Sequence, residues 1–170
     1  MDQAIEILAE KGSAKLIEFQ PLRAFSVILP PGATFVVANT LEEKNKAASN
    51  DFNTRVVECR MAAKILAKQL LPGEAWRDLA RLKDVQVRAG LELTELEARL
   101  DSLLHQEDYT ADEVVEILGT DLEYLKTNIL TANTQDVQRF RLYQRAKHVY
   151  SEAARVYKFR LIQLVVTKVL

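Results

Sequence analysis

Cysteine is almost missing from this chain, with Cys59 the single example in 170 residues. One cysteine cannot close an intramolecular disulfide or supply a zinc set, and a chain without disulfides suits a reducing compartment. Glycine and proline are sparse as well, five and four residues, which excludes collagen-like and Pro/Gly-rich disordered classes. Charge of one sign is also missing. The 23 Lys+Arg and 24 Asp+Glu leave a formal net charge of -1, so no global basic field pulls the chain onto nucleic acid or anionic lipid. No apolar run reaches the ~20 residues that span a bilayer, and the most apolar stretch, Leu161 to Leu170, is interrupted by Lys168. The start, Met1-Asp2-Gln3-Ala4-Ile5-Glu6, has neither the basic nor the apolar region of a secretory signal. Together these absences predict a cytoplasmic protein with no nucleic-acid or membrane partner.

What is present is a balanced globular composition, 48% hydrophobic and 28% charged, whose periodicity changes near Asn39. Gln3 to Glu10 carries a short helical stripe at Ala4, Ile5, Leu8 and Ala9, closed by Lys11-Gly12. Three segments rich in β-formers follow, Ala14 to Phe19, Ala24 to Leu29 and Thr34 to Asn39. They predict a small antiparallel sheet, with Lys15 and Glu18 pointing outward and the apolar Phe35-Val36-Val37-Ala38 run as a central strand buried on both faces. From Asn50 the spacing turns helical, with Val56, Cys59, Ala63, Leu66 and Leu70 on one stripe before Pro72-Gly73. Trp76 to Val87 and Leu91 to Leu104 read as two more amphipathic helices, with Gly90 between them. Thr110 with Glu113 and Thr120 with Glu123 have Thr-x-x-Glu spacing, which predicts two short capped helices. Gln135 to about Leu164 reads as a long basic helix. The fold class is therefore α+β, a small antiparallel sheet followed by a mainly helical region.

Few residues suggest chemistry on their own. Asp2 lies at a helix N-terminus, where the orphan N–H groups and macrodipole favour a carboxylate; it reads either as a cap or as a functional acid. The stretch from Asn39 to Arg60 is polar and basic, and ligands in α/β folds sit beyond strand ends. Lys44, Lys46, Arg55 and Arg60 there suit phosphate oxygens and Asn45 a base or ribose, while the plainer reading is a solvated loop and helix start. Arg139, Arg141, Arg145, Lys147, His148 and Arg155 cluster late in the chain, either as an anion site or as a solvated helix face. His105 and His148 have no metal-ligand spacing, and no Gly-x-Gly-x-x-Gly, Walker or Gly-x-Ser-x-Gly pattern occurs.

Several segments taken together resemble the galactokinase branch of the GHMP small-molecule kinases. They are Met1-Asp2-Gln3-Ala4-Ile5, Leu16-Ile17-Glu18-Phe19, Pro21-Leu22-Arg23, Phe35-Val36-Val37-Ala38-Asn39, Asn45-Lys46-Ala47-Ala48, Gln138-Arg139-Phe140 and the run from Leu142 to Val156. Within that branch the N-acetylgalactosamine kinases are the more similar. The resemblance, which runs to about Ile162, implies a partial GHMP-kinase fold. In it, 1–49 end the N-terminal α/β domain, 50–162 lead into the C-terminal domain and 163–170 match no family segment.

The resemblance implies an ATP- and magnesium-dependent sugar 1-kinase acting on N-acetylgalactosamine or galactose, with a monomeric parent protein. Asp2 matches the aspartate that contacts the sugar and accepts the proton of its anomeric hydroxyl. Asn45 and Lys46 match an Asn-Lys pair that contacts ATP. Phe52 stands where galactokinases commonly carry a sugar-contacting tyrosine, and losing that hydroxyl leaves an apolar wall suited to an N-acetyl group. The Gly/Ser-rich phosphate loop and the magnesium ligands fall outside the chain. The resemblance therefore implies an internal segment of a longer kinase, inactive by itself. A non-catalytic interaction or sensor form of the same fold is the alternative.

Overall fold

The computed structural model describes residues 2–19, 21–42 and 50–169. They divide into two compact units, Met1–Glu42 with Ala154–Leu170, and Glu43–Ala153. The first unit begins with α1 (Asp2–Leu8), followed by β1 (Ser13–Phe19) and β2 (Leu22–Ile28). The strands pair antiparallel from Ser13 opposite Ile28 to Phe19 opposite Leu22. Positive φ at Gly12, +83°, lets the chain turn from α1 into β1, a conformation that costs only glycine nothing.

Register decides what each face of this ribbon does. Residues three apart on a strand point to opposite faces, so Lys15 and Glu18 cannot both point outward, and neither does. Their side chains are 7% and 14% exposed. Lys15 Nζ donates to the Glu10 carboxylate and, at 2.7 Å, to Ser26 Oγ on the strand opposite. That contact holds the exposed Glu10 carboxyl below its usual pKa. On the other face Glu18 pairs with Arg23 at 2.9 Å and accepts from the Tyr157 hydroxyl at 3.2 Å, while the Arg160 guanidinium lies 4.6 Å over the Phe25 ring.

The expected third strand does not form. Residues 33–42 have no ladder partner among the described residues, and Val36 and Val37 are 91% and 95% exposed. A strand buried on both faces needs neighbours to bury it, and the described sheet has two strands; β-propensity reports fit to such a surface rather than an intrinsic backbone preference.

The core belongs to the second unit. Its axis is α2 (Asn50–Leu70), whose Val57, Met61, Ile65 and Leu66 are fully buried. The expected helix from Trp76 to Val87 is broken in two, a short 3-10 turn at Ala75–Asp78 and α3 (Leu82–Ala89). At the break Lys64 Nζ donates to the Arg77 carbonyl at 2.8 Å, the acceptor that a continuing helix would offer to residue 81. Buried Trp76 anchors this turn, with the Arg77 guanidinium 4.5 Å over its ring. α4 (Leu93–Leu103) follows, opened by a reciprocal cap between Glu92 and Glu95.

α5 (Ala111–Leu118) starts as expected, with Thr110 Oγ1 accepting the Glu113 N–H at 3.2 Å. α6 (Leu122–Asn128) does not start on Thr120; Asp121 caps it, accepting the Tyr124 N–H at 2.7 Å. Thr120 is already committed to the end of α5, where its N–H returns to the Val115 carbonyl at 3.1 Å beside Gly119 at φ +63°. The last helix, α7, runs Leu142–Val169 and not from Gln135. Residues 132–134 form a 3-10 turn, and Phe140 exchanges both backbone hydrogen bonds with Tyr109, at 2.8 and 2.9 Å. Tyr150 on α7 donates its hydroxyl to the Leu82 carbonyl at 2.9 Å, buried inside the unit.

Candidate functional site

The sequence-predicted site residues fall in three places. Asp2 is the first residue of α1, the helix-start position expected for it. Asn45 and Lys46, like Lys44, lie outside the described residues. Phe52 sits in the first turn of α2, 58% exposed, on the surface and free of the core.

A cleft of about 310 Å³ in the helical unit gathers residues that the sequence reading held in two separate groups. From α2 come Asp51, Thr54, Arg55 and Glu58, spaced so that all four share one helix face. Opposite them stand Arg139 and Arg141, just before α7, and Arg145 on its first turn. Glu58 fastens the two sides. Its carboxylate accepts the Arg141 N–H at 2.8 Å and the Arg145 Nε at 3.4 Å, and its side chain is 5% exposed. A carboxylate accepting an N–H at a helix start also complements the macrodipole. The cleft therefore has a fixed floor at Glu58 and Arg145, with long guanidinium arms above it.

The electrostatics are one-sided. Among the described lining residues four guanidinium groups face two carboxylates; Glu58 is taken by Arg145, and Asp51 has an interaction of its own. Arg141 pairs with Asp108 at 3.8 Å. Arg55 and Arg139 make no ion pair among the described residues. Of the other basic candidates, Arg60 donates to the Ile129 carbonyl at 3.4 Å and Lys147 to the Tyr143 hydroxyl at 3.0 Å, so both serve the fold. His148 is exposed, and Arg155 belongs to the other unit. Cys59, one residue beyond Glu58, is pushed up in pKa chiefly by burial, which keeps it a thiol and a poor nucleophile.

No group of three or more His, Cys, Asp or Glu sits together among the described residues. Nor is any helix, among the described residues, long and apolar enough to cross a membrane. The cleft was half legible in the sequence. Both arginine groups were visible as charge, but their meeting depends on a contact 83 residues apart in sequence, which no local period reports.

No family model matches the chain. Curated proteins do. The chain is 43% identical over 164 residues to a galactokinase of Dictyostelium discoideum, an alignment that takes in 94% of this chain and 32% of that protein. It is 33% identical to a galactokinase of Saccharomyces cerevisiae, over 93% of this chain and 36% of the relative. A galactokinase of Candida albicans is 32% identical over 92% of this chain and 35% of its own length. Galactokinase homologues therefore cover this chain nearly from end to end, while the chain spans about a third of the length of each.

Proposed function

We propose that this chain is a segment of an ATP-dependent sugar 1-kinase of the galactokinase branch, supplying the catalytic aspartate and part of the nucleotide and sugar contacts. The observation that carries the reading is the 43% identity to a galactokinase along 94% of the chain. In this reading Asp2 accepts or orients the proton of the anomeric hydroxyl, helped by its place at the start of α1. Asn45 and Lys46 contact ATP. Bound ATP with magnesium supplies the γ-phosphoryl group, and the ion's ligands belong outside the described residues. Catalysis of this kind is positioning plus stabilisation of phosphoryl charge. Residues 1–49 would close an N-terminal α/β domain and 50–162 lead into a C-terminal one, in a cytoplasmic and monomeric parent protein. The chain by itself would not turn over.

Galactose is the acceptor that the relatives' names support; the finer assignment, N-acetylgalactosamine, rests on Phe52. The test is a hybrid in which this chain replaces the matched third of the Dictyostelium galactokinase. The hybrid phosphorylates N-acetylgalactosamine measurably, and Phe52→Tyr moves the ratio of kcat/KM values toward galactose by at least about tenfold, the low end of what one small pocket group discriminates. An unchanged ratio would remove Phe52 from sugar selection. A folded hybrid inactive on both sugars would favour the non-catalytic form of the fold.

A further inference from the structure

We propose that the arginine cleft between α2 and the start of α7 is a binding site for a phosphate dianion, free or carried as the phosphomonoester of a small metabolite. Three observations converge on it. The cleft, about 310 Å³, falls within the range of small-molecule sites. Among the described residues its lining carries four guanidinium groups against two carboxylates, with Asp108 3.8 Å from Arg141, so the cleft stays positive and suits a phosphate anion. Arg55 and Arg139 approach it from opposite sides with guanidinium groups that no carboxylate among the described residues engages, and a planar fork of N–H donors matches phosphate oxygens two at a time.

The arrangement also explains an otherwise costly pair. Burying the Glu58 carboxylate against Arg145 spends desolvation energy for little net stability, yet it fixes one guanidinium at the cleft floor and, through the Arg141 N–H, the start of the helix that presents it. Arg145 and Glu58 thus act as positioning residues, with Arg55 and Arg139 as the ligand-contacting arms. Two guanidinium forks match the several oxygens of a phosphate group better than the two of a carboxylate, so the phosphate group is the better match. The proposal does not depend on phosphoryl transfer, and its test reads binding alone.

The experiment is calorimetric titration of the full chain with inorganic phosphate, pyrophosphate and galactose 1-phosphate in low-salt buffer. It compares the parent with an Arg55→Gln/Arg139→Gln double variant and with Arg99→Gln, a change at an exposed arginine outside the cleft. The parent binds at least one phosphate ligand at millimolar concentration or tighter, the double variant binds it at least tenfold more weakly, and Arg99→Gln leaves it unchanged. Phosphate alone sufficing would identify a simple anion site; tighter binding of galactose 1-phosphate would identify a metabolite site. Because neither arginine has an ion-pair partner to lose among the described residues, the double variant melts with the parent. Absence of binding to all three ligands, or equal affinity in parent and double variant, overturns the proposal.

Discussion

Glu58 illustrates how a single side chain can be read in sequence as one thing and act as another. It falls in the polar stretch from Asn39 to Arg60, whose plainer reading in sequence is a solvated loop and helix start. In the folded chain its carboxylate is buried, holding the Arg141 N–H at 2.8 Å and Arg145 at 3.4 Å. Removing one partner of a buried ion pair leaves the other desolvated and unpaired, a cost of about 3 kcal/mol. Glu58→Ala is therefore expected to lower unfolding free energy in urea by about that amount, while exposed Arg55→Gln leaves it within about 0.5 kcal/mol. Similar losses for both would show that Glu58 is an ordinary surface charge. The same scale explains Lys15 and Lys64: each looks solvated by type, yet Lys15 closes a contact across the ribbon and Lys64 is held by the Arg77 carbonyl. Burial depresses the Lys64 pKa, a direction that follows from desolvating its charged form.

At the scale of elements, helix interiors were legible and their ends were contested. The stripe from Val56 to Leu70 placed α2 correctly, and Gly90 and Gly119 close their helices with φ of +65° and +63°. Where the sequence misplaced an end, a distant or competing partner had taken the backbone. Thr120 was claimed by the close of α5, Arg77 by Lys64, and Phe140 by Tyr109. The third segment failed for the opposite reason, that no partner among the described strands exists for it. Capping gives a sharp check on this account. Thr110→Ala and Asp121→Ala should each destabilise by about 1 kcal/mol, the usual worth of an N-cap. Thr120→Ala should cost less than about 0.5 kcal/mol, because its hydroxyl is buried without a hydrogen-bond partner among the described residues and nothing is lost with it. Chemical denaturation of the three variants decides it; a Thr120→Ala loss equal to that of Asp121→Ala would restore the Thr120 cap.

On the scale of the whole molecule, the α+β character was legible because the change of period from two to three or four near Asn39 is a property of the chain itself. The likeness to sugar kinases was legible for a different reason. It rested on short strings of residue types in a fixed order, and galactokinases do align along 94% of the chain. The cleft was not legible as a site, since it joins α2 to α7 across most of the helical unit. What unites these levels is a division of labour: the helical unit carries the packed core and the arginine cleft, while the ribbon unit holds α1, whose first residue is Asp2.

The proposed role of Asp2 is the centre of the account, and one measurement reaches it directly. In the hybrid carrying this chain in place of the matched third of the Dictyostelium galactokinase, phosphoryl transfer from ATP to sugar is measured before and after Asp2→Asn. A proton acceptor in the transition state is worth roughly 10²- to 10⁴-fold, so kcat falls by at least about a hundredfold while the affinity for ATP is unchanged. A variant that folds, binds ATP and keeps kcat within a few-fold of the parent would contradict the account.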